Sequence, residues 1–220
     1  MFEILSRDTG KIFTVEVAAI EFFKETLSSI PTGIPNMQYV KINQFNQKTG
    51  DDLLMLINYF KRQGLDKLVI DVRGNAGGPP LAAREIANMF FPPNTDLFYF
   101  QKKNQPKIIL RTLPTPVNFS GEIAVLIDKG SGSASELFAG TMQKHNRAIL
   151  IGAEQSAGKT FLKSMFEFED KSMLYLVTSL AYLYNGQTYN GDGLKPDFIA
   201  KGDVDLFGFV SKCLDTYYAK

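Results

Sequence analysis

The 220-residue sequence predicts an α/β fold with a substantially parallel sheet flanked by helices. Three observations carry this prediction. "KLVIDV" at 67–72 and "EIAVLID" at 122–128 are nearly unbroken apolar runs, as strands covered on both faces require. Each run passes into a Gly-rich turn and then into a segment with helical signals. The order strand, helix, strand then continues to "RAILIG" at 147–152.

The elements follow in chain order. "FEILSRDTGKIFTVEV" at 2–17 reads as two short strands around a turn at Arg7 to Gly10, a small N-terminal β-hairpin. Residues 18–36 fit no single period. "MQYVKI" at 37–42 alternates like a strand. In "TGDDLLMLINYFKRQG", Leu53, Leu54, Ile57 and Phe60 form one apolar stripe, Asp51 and Asp52 stand in the first turn, and Gly64 follows the end, so a helix is expected. "PPLAAREIANMFF" reads as a helix opened by Pro80 and closed by Pro92 and Pro93. "DLFYFQ" and "KIILRT" are strands, "SASELFAGTMQKHN" a helix, "FLKSMFEFED" and "SMLYLVTSLAYLY" a β-rich pair turning at Asp170 and Lys171. "NGQTYNGDGLKPD" is loop, and "DVDLFGFVSKCLDTYYAK" closes as an amphipathic helix. No linker or repeat divides the chain, so one domain over 1–220 is expected, with 1–36 as N-terminal strands and connector and 37–220 as the core.

Composition narrows the function. A net charge of +1 gives no pull toward nucleic acid or anionic lipid. No apolar run is long enough to span a bilayer, and the N-terminus lacks the basic-then-apolar layout of a signal peptide. The single cysteine, Cys213, permits no intrachain disulfide and no cysteine-rich zinc site, and reads as a small buried hydrophobe on the last helix.

The chemistry concentrates in "DKGSGSASELFAG" at 128–140. Ser133 and Glu136 have the spacing of a helix capping box. The same turn lies at the carboxyl end of a buried strand, where α/β proteins place ligands, and at a helix N-terminus with free N–H groups. A serine there could attack a carbonyl while the next N–H holds the oxyanion. It needs a base. The one histidine, His145, lies twelve residues along the same helix, about 18 Å away, whereas a proton transfer needs about 3 Å. It therefore reads as a helix-end residue. Lys159, in the Gly-rich turn of "GAEQSAGKTF", follows the next strand, and a right-handed crossover can return that turn to the serine. A lysine acts as base only when neutral, which burial or a nearby cation favours. Asp71 and Arg73 at a strand end, and the aspartates of "DGLKPD", read as ion-pair and turn residues. Phe161, Phe166 and Phe168 read as core rather than as a side-chain pocket.

"LVIDVRGNAGG", "GSGSASELFAG", "RAILIGAEQSAGKT" and "NGDGLKPD", in that order over roughly residues 37–200, resemble the carboxy-terminal processing (tail-specific) proteases, serine peptidases with a Ser-Lys dyad. The resemblance implies a crotonase/ClpP-like core that is usually joined to a PDZ domain, for which this chain has no recognisable segment. It implies Ser133 as nucleophile, Lys159 as base, and backbone oxyanion donors at Ala134 and in the "GNAGG" turn, Gly77 first and Gly78 second. Pro79 has no N–H to give. No metal or organic cofactor is required. The implied substrate is a protein or peptide bound extended, in unstructured or C-terminal segments, and the implied location is the periplasm, cell envelope or another extracytoplasmic space.

The sequence departs from the family pattern in three places. The segment before Lys159 is one residue longer, Thr160 replaces the glycine after it, and Lys163 stands where a lysine-orienting glutamine is usual. A lysine cannot accept a hydrogen bond, though a second ammonium nearby would favour the neutral form of the first. Gln155 and Ser156 are substitute orienters. These departures keep a second reading open, a catalytically impaired module that binds peptides or an apolar ligand on the same fold. An acyl-CoA enzyme of the wider crotonase superfamily is a third, and would not need the Ser-Lys pair.

Overall fold

A computed structural model describes residues 2–15, 25–114, 118–202 and 204–219. Strands β1 (Phe2–Leu5) and β2 (Ile12–Val15) pair antiparallel as the expected hairpin. Glu16 and Val17, and much of the stretch without a clear period, lie outside the described residues. Then come β3 (Leu27–Pro31), β4 (Met37–Ile42), α1 (Thr49–Arg62), β5 (Lys67–Asp71), α2 (Pro80–Ala87), β6 (Asp96–Gln101), β7 (Ile108–Arg111) and β8 (Glu122–Leu126). The chain continues through α3 (Ala134–Lys144), β9 (Ile149–Gly152), β10 (Phe161–Glu167), β11 (Met173–Leu183), β12 (Phe198–Ile199) and α4 (Leu206–Tyr218).

Six strands form the main sheet in the order β12-β9-β8-β5-β4-β3, parallel throughout except for β3, which runs antiparallel to β4 at the edge. The expected parallel α/β core is present. The sequence did not reveal β3, which brings part of the stretch before residue 37 into the core sheet. Nor did it reveal a second sheet: β10, β11, β6 and β7 form a separate antiparallel layer in that order.

The apolar runs do what their composition requires. Leu68, Val69 and Ile70 of β5 and Ile123, Ala124 and Val125 of β8 are fully buried because helices cover both sides. On one side, Leu53, Ile57 and Phe60 of α1, Ile86 of α2 and Phe138 of α3 join Leu68, Ile70 and Val125. On the other, Val210, Cys213 and Leu214 of α4 cover Val69, Ala124 and Ile149. Each Val, Leu, Ile or Phe side chain among them contributes about 1.5–3 kcal/mol by leaving water. Leu54, placed on the α1 stripe by sequence, packs only at its margin. Helix α2 is shorter than "PPLAAREIANMFF" predicts, and tight turns through Met89 and Phe90 replace its last stretch.

Candidate active site

Three parallel strands end at one rim of the main sheet, and the loops that leave them meet there. The turn after β8 is pinned from within. Asp128 Oδ1 accepts from Gly130 N–H at 2.9 Å and from Gly74 N–H at 2.9 Å. Ser131 donates its hydroxyl to Val72 O at 2.8 Å, and Ser135 donates its own to Asn75 O at 2.8 Å. Two of the three serines are thus structural. Ser133 is different. It is half-buried, its φ of 55° and ψ of −117° are sparsely populated for a side-chain-bearing residue, and its hydroxyl donates to no carbonyl among the described residues. It stands as N-cap of α3 and forms the expected capping box with Glu136.

The "GNAGG" turn after β5 is pressed against this serine. A Cβ on Gly77, whose φ is 106°, would fall 2.8 Å from Ser133 Cβ and 2.6 Å from Gly132 O, so only glycine fits. Buried Asn75 ties the two turns together. Its Nδ2 donates to Ile42 O at 2.7 Å, its Oδ1 accepts from Gly77 N–H at 2.9 Å, and its carbonyl accepts from Gly132 N–H at 3.0 Å. Gly77 N–H is therefore committed to Asn75. The N–H groups of Gly78 and Ala134 have no acceptor among the described residues. Of the two turn glycines, Gly78, the second choice from sequence, has the free donor.

The turn after β9 brings Lys159 to the same place. A Cβ on Gly132 would lie 3.6 Å from Lys159 Cδ and 3.5 Å from Ala157 Cβ, so the lysine stem passes close over the residue before Ser133. Ala157 N–H donates to Ser131 O at 2.9 Å. From behind, the turn rests on the "NGDG" loop, where a Cβ on Gly193 would sit 2.2 Å from Ser156 O. Lys159 is exposed, and among the described residues no hydrogen bond joins its Nζ to Ser133 Oγ.

Glu136 joins the serine and lysine turns, and the sequence showed it only as a cap. It is fully buried. Its Oε2 accepts from Ser133 N–H at 3.0 Å and from Lys159 N–H at 2.8 Å. Its Oε1 accepts from Gly158 N–H at 2.7 Å and from the Ser156 hydroxyl at 2.5 Å. Ser156 also accepts from Leu194 N–H at 2.7 Å, so its hydroxyl is held in the network behind the turn, and among the described residues no hydrogen bond joins it to the Lys159 ammonium. Gln155 is exposed and makes no hydrogen bond among the described residues. Lys163 is exposed on β10, its ammonium 5.6 Å from the centroid of the Phe161 ring.

The remaining residues singled out from sequence serve the fold. Asp71 is fully buried, accepts from Tyr39 Oη at 2.7 Å and pairs with Arg73 at 2.7 Å. Burial, then the hydrogen bond to Asp71, pushes the Tyr39 phenol well above its usual range, and the same carboxylate raises Arg73. Asp197 accepts from Leu150 N–H at 2.7 Å and from Gln143 Nε2 at 2.8 Å. His145 caps the far end of α3 with Nε2 2.9 Å from Asp96 O, and its ring stacks on Tyr184. Cys213 is buried on α4, as expected. Phe166 and Phe168 correct the sequence reading: they are 46% and 51% exposed rather than core.

Comparison with known proteins agrees with this architecture. The sequence model of Peptidase family S41 matches residues 36–200. A Staphylococcus saprophyticus protein described as a probable CtpA-like serine protease is 32% identical over 158 residues, covering 71% of this chain and 32% of its own length. The carboxyl-terminal-processing protease of Synechocystis sp. is 24% identical over 180 residues, 82% of this chain and 42% of that protein. The chain thus spans well under half the length of these curated relatives. Among solved structures, the photosystem II D1 C-terminal processing protease superposes with a TM-score of 0.74 at 21% identity, over 86% of this chain and 52% of that one. Among the described residues no helix is long and apolar enough to cross a membrane. The resemblance read from the four motifs is borne out, and the chain belongs to peptidase family S41.

Proposed function

We propose that the chain is the core of a serine endopeptidase that uses Ser133 and Lys159 as a dyad on extended, unstructured or C-terminal protein segments. The observation that carries this reading is the lysine stem lying close over Gly132, beside the one serine of the cluster whose hydroxyl donates to no backbone carbonyl. In its neutral form, Lys159 Nζ takes the proton from Ser133 Oγ as that oxygen attacks the substrate carbonyl. The N–H groups of Ala134 and Gly78 receive the developing oxyanion, and the N-terminus of α3 adds its partial positive charge. The lysine ammonium then protonates the departing amine, leaving an acyl-Ser133 ester. Water attacks the ester, Lys159 takes its proton, and Ser133 regains that proton as the new carboxyl product leaves. Exposed Lys159 becomes an effective base only when a bound substrate excludes water from it. Lys163, Gln155 and Ser156 receive no part in these steps. By its family resemblance we place the protein outside the cytoplasm.

One observation favours the impaired binding module: no hydrogen bond joins Ser133 Oγ and Lys159 Nζ among the described residues. Dyads in unliganded sites are often loose and tighten when substrate binds. Incubation with casein, with new termini followed by mass spectrometry, separates the two readings. The parent is expected to cut, and Ser133→Ala and Lys159→Ala each to lose about 10⁴-fold or more of the rate. Equal cutting by all three would remove the dyad, and peptide binding without cutting by the parent would establish the module.

A further inference from the structure

The hairpin of β10 and β11 carries apolar side chains on both faces. Met165, Phe166, Phe168, Tyr175 and Val177 are 46–60% exposed. A two-stranded ribbon of this kind is poorly stable alone in water, and a contiguous exposed apolar patch marks an interaction surface. Strand β10 is also the edge of its sheet. Phe168 N–H donates to Ser172 O and Ala181 N–H donates to Thr160 O, so the even-numbered residues of β10 bond toward β11. By alternation, Phe161, Lys163, Met165 and Glu167 turn their N–H and C=O groups outward along the open edge.

We propose that β10 pairs antiparallel with β10 of a second copy of this chain, about a two-fold axis at Met165. Charge selects both the occupant and the register. Placing Met165 opposite Met165 sets Lys163 of each copy opposite Glu167 of the other, so two cross-strand ion pairs form at once. A shift of two residues in one direction sets Glu167 opposite Phe161 and breaks both pairs, and in the other it sets Lys163 opposite Glu169, which lies in the turn beyond β10 and outside the strand. These residues share one face of the ribbon and carry the outward backbone groups, so the same register closes the edge hydrogen bonds. On the opposite face Ser164 meets Phe166, which leaves room for the ring. Glu167 already holds Lys171 at 3.1 Å, but both partners are solvent-exposed, so this pair competes weakly. The arrangement is isologous, joins two four-stranded sheets into one, and removes an apolar edge that would otherwise invite uncontrolled pairing.

Sedimentation equilibrium over a wide concentration range tests the proposal. The parent chain is expected to double its mass of 24.6 kDa as concentration rises, with dissociation promoted by salt. Lys163→Glu and Glu167→Lys each create like-charge contacts twice per dimer and should weaken association at least about tenfold. The double variant carrying both changes should restore it. Independently, Met165→Cys should oxidise to a disulfide-linked dimer, because an antiparallel hydrogen-bonded pair sets the Cα atoms about 5.5 Å apart, within disulfide reach. Ser164→Cys should not. A parent that stays monomeric, a dimer indifferent to Lys163→Glu, a double variant that remains dissociated, or equal cross-linking by the two cysteine variants would each overturn the proposal.

Discussion

Glu136 shows how one side chain can set the geometry of two loops. Its two oxygens take four hydrogen bonds, from the amides of Ser133, Gly158 and Lys159 and from the Ser156 hydroxyl, in a fully buried position. Glu136→Gln would replace one accepting oxygen with an NH₂ group facing donors, so at least one N–H loses its partner. The expected cost is about 2–4 kcal/mol of stability, read as a lower urea midpoint at constant slope, with a fall in kcat larger than any change in KM. Ser156→Ala should lower stability by about 1–3 kcal/mol while preserving most activity, because Glu136 still holds the Ser133 and Lys159 amides. Equal loss of kcat in both variants would contradict a positioning role centred on Glu136. The site was legible where its signal was local. Small residues around Ser133, and a lysine in the turn after the next strand, can be read from order and spacing. Asn75 and the wider role of Glu136 were not, because their partners lie across turns that only the folded sheet brings together.

Helix α3 carries the candidate site at one end and structural packing at the other. At its N-terminus, Gly77 packs so closely that Gly77→Ala should cost about 3–5 kcal/mol or displace the Ser133 turn; unchanged thermal stability and activity would refute that packing. At its C-terminus, burial lowers the His145 imidazole below its ordinary value, outweighing the hydrogen bond to Asp96 O. Tyr184 and Phe91 face the ring, and the nearby Asp96 charge offsets the effect of burial only in part. The folded state therefore resists protonation that the unfolded chain accepts. Stability is unaffected above the unfolded value of about 6.5, and falls as pH drops from there toward the lower folded value. His145→Gln should flatten that decline in urea titrations, leaving the carboxylate-driven loss at lower pH. Helices α1 and α3 were legible from helical patterning and end signals over many residues, and the short strands β5 and β8 from continuous apolarity. Strand β3, "LSSIP", was not. It is an antiparallel edge strand with two serines and a proline, and its pairing with β4 overrides a weak local preference. The second sheet was hidden for another reason: its strands were visible singly, but the β11 to β6 pairing joins segments about eighty residues apart.

On the scale of the whole molecule, two sheets of unequal burial imply two levels of stability. The central strands β5, β8 and β9 are covered on both faces, and the side chains of Val69, Ile70, Ala124, Val125 and Leu150 are fully buried. Their amides can exchange with solvent only when the main sheet and its helices come apart. The outer half of the β10–β11 arm pairs with itself and exposes Met165, Phe166, Leu174 and Tyr175. Little apolar burial opposes its opening, so it should open sub-globally. Native-state hydrogen exchange should give Val69, Ile70, Val125 and Leu150 one shared free energy, equal to that of global unfolding by urea. Residues 164–167 and 173–176 should exchange at lower free energy and with a smaller urea slope in dilute protein. Pairing between arms adds a second signature. As protein concentration rises, protection should grow first at the outward amides of Lys163, Met165 and Glu167. Those at Ser164 and Phe166 already bond within the hairpin and should gain less. Arm amides that exchange only with global unfolding in dilute protein would show that the arm is held by the body of the fold, and the stability of the two sheets would then be one cooperative quantity.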